Sequence, residues 1–216
     1  MRKLKVIDPV VRQPTVSSED RAEGSSPFDP PDAYAPPARD EVALEDLHPF
    51  LRELLEEHTT IKAQLDDFED CLVTIQKERA LPREVFTRLQ TFFEFFDTVF
   101  IAHNRREERD LFPLIKLRLL EKGEHSPTET PVTGIDVLLG EHLVAAKAVA
   151  TVSALLSLIP TLPDHRSREV ALDVAVGTGR DFIEQVNLHI FREDHVMFPL
   201  AHTLLTTAEL DEFARH

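Results

Sequence analysis

Apolar residues return at helical spacing in four long stretches of the chain. From about Leu44 to Glu78, with about 100° of turn per residue, Leu51, Leu54, Leu55, Ile61 and Leu65 fall within about 60° of His58 on the helix surface. His58 thus sits in the middle of an apolar stripe, and Pro49 stands where a first helical turn tolerates it. A second helix is predicted from Pro82 through the cluster Phe86, Phe92, Phe93, Phe95, Phe96 and Phe100 to beyond His103, with Pro113 expected to end or kink it. Residues 123–133, which include Pro127 and Pro131, read as a loop. The third helix is expected over about Ile135 to Ile159, with His142 on its apolar line, and the fourth over about Ser167 to Leu205, with His189 among Phe182, Val186 and Val196. Thr206 and Glu209 have capping-box spacing for a short last helix ending near His216. No strand signal appears. Short connections between long amphipathic segments predict an all-α fold, an up-down four-helix bundle with a short C-terminal helix.

The pattern is also doubled. Leu54, Leu55, Glu56, Glu57, His58 return as Leu138, Leu139, Gly140, Glu141, His142 at an offset of 84. His103, Glu107, Phe112 and Pro113 return as His189, Glu193, Phe198 and Pro199 at an offset of 86. The bundle, assigned to residues 41–216, is therefore built from two repeats of about 46–120 and 134–205. Residues 1–40 hold seven of the 15 prolines among Ser, Asp and Glu, and read as a Pro-rich flexible tail.

Composition narrows the function. A net charge of -15 argues against nucleic acid and anionic membranes as partners, because both attract a Lys/Arg excess. The single cysteine, Cys71, excludes an intrachain disulfide and a Cys-rich metal site, and its apolar neighbours predict a buried, inert thiol. No apolar segment follows the N-terminal charges, and the run Ala148 to Ile159 is short for a bilayer and interrupted by hydroxyls, so a cytoplasmic location and no membrane partner are expected.

One histidine on an apolar stripe is ordinarily a core residue with a hydrogen bond. Four, one per helix and each central to its stripe, would leave four imidazoles in a dry interior, at a cost of roughly 1 to 3 kcal/mol for each unsatisfied group. A metal removes that cost. Glu107 and Glu193 lie four residues after His103 and His189, at about +40°, and share their inward face. The candidate metal ligands are therefore His58, His103, Glu107, His142, His189 and Glu193. Asp194, at about +140° from His189, is the alternative to Glu193 should the helix be irregular before Pro199. Six N/O ligands suit iron, manganese or zinc and leave coordination positions open over two ions. Glu57 and Glu141 read either as acids behind the ligands or as parts of a solvated face. Glu108, His48, His125, His165, His195, His202 and His216 read as surface or loop residues.

The Leu-Leu-x-Glu-His element at His58 and His142, and the His-x-x-x-Glu element followed by Phe-Pro at His103 to Pro113 and His189 to Pro199, resemble the hemerythrin-like, or HHE cation-binding, family over about residues 46–205. The resemblance implies two non-haem iron ions with bridging carboxylates and a bridging oxo or hydroxo group. It further implies a small diatomic or peroxide ligand (oxygen, peroxide or nitric oxide) and an unknown electron donor. Oxygen-carrying hemerythrins have a second histidine where this chain has Leu138, whereas the His then Asp spacing of their last helix is kept by His189 and Asp194. Four His and two Glu in symmetric halves are similar to the di-iron domain of bacterial iron-cluster repair proteins, whose cysteine-bearing N-terminal domain has no counterpart in the first 40 residues. The expected function is to bind or reduce a small oxidant in oxidative or nitrosative stress defence, with di-iron oxidoreductase chemistry on peroxide or nitric oxide as its enzymatic form. Reversible oxygen storage or sensing, and iron donation or sensing, are the alternatives.

Overall fold

The computed structural model describes residues 46–215. The tail assigned to residues 1–40 lies outside them. Four long helical rods and one short helix account for the fold, and the described residues contain no strand. Helix α1 is Pro49–Glu78. Rod α2 joins the stretches Arg83–Phe95, Ile101–Arg106 and Phe112–Glu121 through π-helical turns at Phe96–Phe100 and Glu107–Leu111. Helix α3 is Gly134–Leu158, followed by a 3₁₀ turn at Ile159–Thr161. Rod α4 joins His165–Arg192 and Phe198–Leu204 through a π-helical turn at Glu193–Met197, and α5 is Thr207–Phe213. The rods pack in a ring, α1 on α2, α2 on α3, α3 on α4 and α4 on α1, in up-down order.

The ends of the rods follow from local chemistry. α1 begins five residues later than its apolar spacing suggests, because Pro49 takes the first turn and the ring of His48 accepts from the Phe50 N–H at 3.3 Å. His48 is thus a cap rather than a loop residue. Asp136 opens α3 by accepting from the Thr133 N–H at 2.8 Å and from its hydroxyl at 3.0 Å. The Thr206/Glu209 capping box starts α5 as expected. α5 then folds back on the beginning of α1 through buried Leu210 and a Phe50–Phe213 ring contact at 5.9 Å.

Pro113 and Pro199 neither end nor sharply break their rods. Each stands two residues after the end of a π-helical turn, at Glu107–Leu111 and Glu193–Met197. A proline ring collides with the carbonyl four residues back and cannot donate to it. The wider turn, with its i to i+5 bonds, admits both defects without stopping the helix.

The core has two apolar halves with a polar layer between them. One half holds Ile61, Leu65, Phe100, Ala145, Val186 and the stack of Phe68 on Phe92 at 4.1 Å. The other holds Leu54, Leu111, Phe112, Leu138, Met197 and Phe198. Every rod crosses from one half to the other at a histidine: His58, His103, His142 and His189. Cys71 is buried in the first half, and burial raises its thiol pKa to about 11, which keeps it protonated and unreactive.

One expectation needs correction. The apolar run read as Ala148 to Ile159 belongs to a longer segment, Gly134–Thr161, that by length and composition is long and apolar enough to cross a membrane. In this fold the segment packs on α4 and α2 and carries His142 inward. Its apolar excess lies on its outer side, where the sequence pattern had been followed only for the inner stripe.

Candidate metal centre

His58, His103, His142 and His189 are all buried, as are Glu107 and Glu193, both at 0% exposure. The structure brings them together in two overlapping groups. His58 and His103 meet the two glutamates in one, and His142 and His189 meet the same two glutamates in the other, with the potential ligand atoms of each group within 4.8 Å of one another. His58 Nε2 lies 3.0 Å from His103 Nε2, and His142 Nε2 lies 2.9 Å from His189 Nε2. Two imidazole pairs therefore face each other across two shared carboxylates.

The outer ring nitrogens explain how the inner ones are aimed. Each Nδ1 is held by a carboxylate: His58 by Asp194 at 2.6 Å, His103 by Glu57 at 2.7 Å, His142 by Glu108 at 2.8 Å and His189 by Glu141 at 2.9 Å. With Nδ1–H donating outward, Nε2 keeps a bare lone pair directed at the interior, the tautomer a metal requires. Rings above fix the imidazole planes. Phe198 stacks on His58 at 5.5 Å and Phe112 on His142 at 5.6 Å, each with 21° between planes. This gives the repeated Phe-Pro element its physical sense. The proline follows the π turn, and the phenylalanine roofs the imidazole of the other repeat.

Electrostatics show what the interior lacks. Neither oxygen of Glu107 nor of Glu193 has a hydrogen-bond partner, although all four are buried. His189 Nε2 approaches Glu193 Oε1 at 3.0 Å and His58 Nε2 approaches its Oε2 at 3.3 Å, close in charge but without hydrogen-bond alignment. Burial and the adjacent Glu193 charge push the Glu107 carboxyl well above the usual range. Burial works the same way on Glu193, but His189 and His58 outweigh it and hold its carboxyl well below the usual range. Burial disfavours charge on His189, yet Glu193 and Glu141 raise its pKa to about 9. Burial likewise opposes charge on His58, which Asp194 and Glu193 nonetheless raise. His103 and His142 are lowered, first by burial. Bare nitrogens and orphaned carboxylate oxygens converging in a dry interior are a donor set for cations, and the residues present fit such a group.

Asp194 points elsewhere than Glu193. It accepts from the outer nitrogen of His58 and from Lys62 Nζ at 3.1 Å, outside the interior cluster. The helix is irregular there, as the Asp194 alternative required, but the π turn begins at Glu193 and leaves that residue facing inward. Glu57 and Glu141, left open between two roles, lie directly behind His103 and His189. Glu108 and Asp194 were missed as partners of His142 and His58. Their signal was available: Glu108 plus the offset of 86 is Asp194, an acid after the inward glutamate in both repeats.

Outer cations tie three of these four acids down. Arg106 pairs with Glu57 at 2.8 Å, Arg192 with Glu141, and Lys62 with Asp194 at 3.1 Å. Among the described residues no Lys or Arg pairs with Glu108, which is also the most exposed of the four, at 40% against 29% for Glu57, 15% for Glu141 and 13% for Asp194. A mostly apolar recess lined by Glu108, Phe112, Pro113, Lys116, Ile135 and Leu139 lies on that side.

A helical bundle whose interior carries two sets of inward imidazoles and carboxylates is, as a class, a cation-binding protein. Residues 49–201 match the family model of the hemerythrin HHE cation binding domain, which covers most of the chain, and the protein belongs to that family. The match is to the family as a whole. No match was found among curated proteins or among solved structures.

Proposed function

We propose that the protein holds two iron ions in this interior and uses them to bind or reduce a small oxidant, oxygen, peroxide or nitric oxide, in defence against oxidative or nitrosative stress. The observation that carries the proposal is the pair of fully buried glutamates shared by both histidine pairs, with four oxygens that receive no hydrogen bond from the protein. His58 and His103 would hold one ion, His142 and His189 the other, and Glu107 and Glu193 would be available to both. Such a pair of irons supplies open coordination positions and two electrons to a small ligand.

The protein's own part is to fix, dry and feed the site. Glu57, Glu108, Glu141 and Asp194 set the tautomers of the four imidazoles, and the two apolar half-cores exclude water from above and below. Leu138, where oxygen carriers have a further histidine, is fully buried in the second half-core and would contribute no donor to an ion held on the His142 side. Glu108, which holds His142, also lines the surface recess together with Phe112 and Leu139, and this favours approach of a small ligand from that side. Electrons come from a donor protein of unknown identity.

The test is metal content of protein made in iron-replete cells, with absorption spectra before and after dithionite and then after air, peroxide or nitric oxide. About two irons per chain, with near-ultraviolet bands that bleach on reduction and return with an oxidant, are expected. Zinc with a silent spectrum, or little metal of any kind, refutes the proposal.

A further inference from the structure

Outside the metal centre, the outer sides of α3 and α4 stand apart from the rest of the surface. Eight of the 13 large apolar side chains that are exposed among the described residues lie on these two neighbouring helices. Along α3, exposed Val137, Gly140, Val144, Thr151, Ala154 and Leu158 follow one another at spacings of three, four, seven, three and four, and Lys147 fills the gap. Along α4, Val170, Val174, Gly177, Leu188 and Phe191 keep the same heptad line, with Asp181 and Glu184 at its middle. A stripe of this spacing is the pattern of a helix that packs against another helix, and Gly140, Ala154 and Gly177 let backbones approach closely.

The first repeat is an internal control. It needs the same inward side chains, and it folds into the same pair of rods. Yet 84 positions earlier, Val137, Gly140, Thr151 and Ala154 are replaced by Glu53, Glu56, Asp67 and Asp70. On α4, 86 positions earlier, Val170, Val174 and Phe191 are replaced by Glu84, Arg88 and Arg105. Folding one repeat thus places no apolar demand on these outer positions. In the second repeat something outside the described fold does, on a chain that is elsewhere strongly acidic.

We infer that this face joins two copies of the chain. Its three central charges select both the occupant and the geometry. Glu141 holds His189, and the Gln185 amide donates to the Glu141 carbonyl at 3.4 Å, so antiparallel α3 and α4 pass each other there. Six residues further along α3, Lys147 is level with Asp181 and Glu184 on α4. None of the three forms an ion pair with another described residue. A twofold axis parallel to the helices sets α3 of one copy against α4 of the other at the same level, and places each Lys147 opposite the acidic pair of the second copy. A twofold axis across the helices would set Lys147 against Lys147. The self-complementary arrangement is therefore the first. From Val137 to Leu158 the face is roughly 30 Å long at about 1.5 Å per residue and about 20 Å wide over two helices, commensurate with the roughly 800 Å² that each partner contributes to a standard interface. An anionic bilayer is a poor occupant for a chain of net charge -15.

Sedimentation velocity on the full metal-loaded chain at about 5 to 100 µM tests this, with circular dichroism and metal content as controls on folding. The expected result is twice the chain mass of 24.6 kDa, with self-association weakened at least tenfold in Val144→Glu. Lys147→Glu alone and the double reversal Asp181→Lys with Glu184→Lys should each be monomeric, and an equimolar mixture of the two should recover the dimer, since both cross-interface pairings are then of opposite charge. Wild-type protein that stays monomeric, or dimers indifferent to Val144→Glu and to both charge reversals, would overturn the inference. A monomer that floats with phosphatidylcholine vesicles would overturn it too, and would give the face to a lipid surface.

Discussion

Replacing Glu107 by leucine should change stability in opposite directions with and without metal. In the metal-free protein Glu107 is fully buried and neither of its oxygens has a partner. A buried unsatisfied polar group costs about 1–3 kcal/mol, and leucine fills a similar volume without that cost. Glu107 is the better choice of the two glutamates, because Glu193 offsets charge on His189 and His58 and its removal would orphan them in turn. Metal-free Glu107→Leu should therefore be more stable than metal-free wild type by about 1–3 kcal/mol, a rise in melting temperature of roughly 2–12 °C at about 2–4 °C per kcal/mol for a domain of this size. In excess ferrous iron the order reverses. A ligand at a thousand times its dissociation constant adds about 4 kcal/mol to the native state, and the variant forfeits most of that gain. The assay is a pair of anaerobic thermal melts followed by circular dichroism, one with chelator and one with iron. If Glu107→Leu lowers the melting temperature equally in both, Glu107 is a structural partner of something in the protein, and the case from orphaned oxygens fails.

Three further outcomes follow from the same geometry. The double substitution His103→Ala and His189→Ala removes one imidazole from each pair and should empty the site; full metal retention by mass spectrometry of the native protein would refute the ligand assignment. Glu57→Ala or Glu141→Ala should lower metal affinity about 10–100-fold with helix content unchanged, because the imidazole stays but loses the carboxylate that sets its tautomer, as measured by competition with a chromophoric chelator. Finally, the metal-free His189 has its pKa raised to about 9, so at neutral pH it carries a proton that metal must displace from Nε2. Loading should then release protons at pH 7, and affinity should climb as pH rises towards 9; a calorimetric titration in buffers of different ionisation enthalpy that shows no proton release would contradict this.

Much of the bundle was legible because the inner stripe of each rod is long and regular. Leu51, Leu54, Ile61 and Leu65 define a face without any knowledge of what they pack against, and all four are buried. Two features escaped a reading at fixed turn per residue. Pro113 and Pro199 offered an end as one reading, since a proline is punctuation in a regular helix, whereas a π turn lets each rod run on. The outer face of α3 went unremarked because an apolar core stripe already explained its hydrophobicity. Only the comparison of Val137 with Glu53 and of Ala154 with Asp70, at the same depth in the other repeat, separates residues needed for folding from residues needed for something else.

The candidate site divides in the same way. Its inner members were legible from one rule, a polar side chain on an apolar stripe, which selects His58, His103, His142 and His189 and, four residues on, Glu107 and Glu193. The outer acids obey no such rule, because Glu57, Glu108, Glu141 and Asp194 sit where any solvated helix would carry an acid. What distinguishes them is a contact made across the bundle or between neighbouring helices, 34 to 136 positions away in the chain. The doubling of the chain supplies the missing rule in part. Glu57 returns as Glu141 at the offset of 84 and Glu108 as Asp194 at the offset of 86, each keeping the register of its own helix, while Lys62, the cation that ties down Asp194, is matched by Ala146 and leaves Glu108 without one. The repeat therefore keeps the imidazole–carboxylate pairs on both sides and breaks symmetry just outside them. That break makes the Glu108 side the looser of the two, and it is the side on which one acid both holds an imidazole, that of His142, and lines the surface recess.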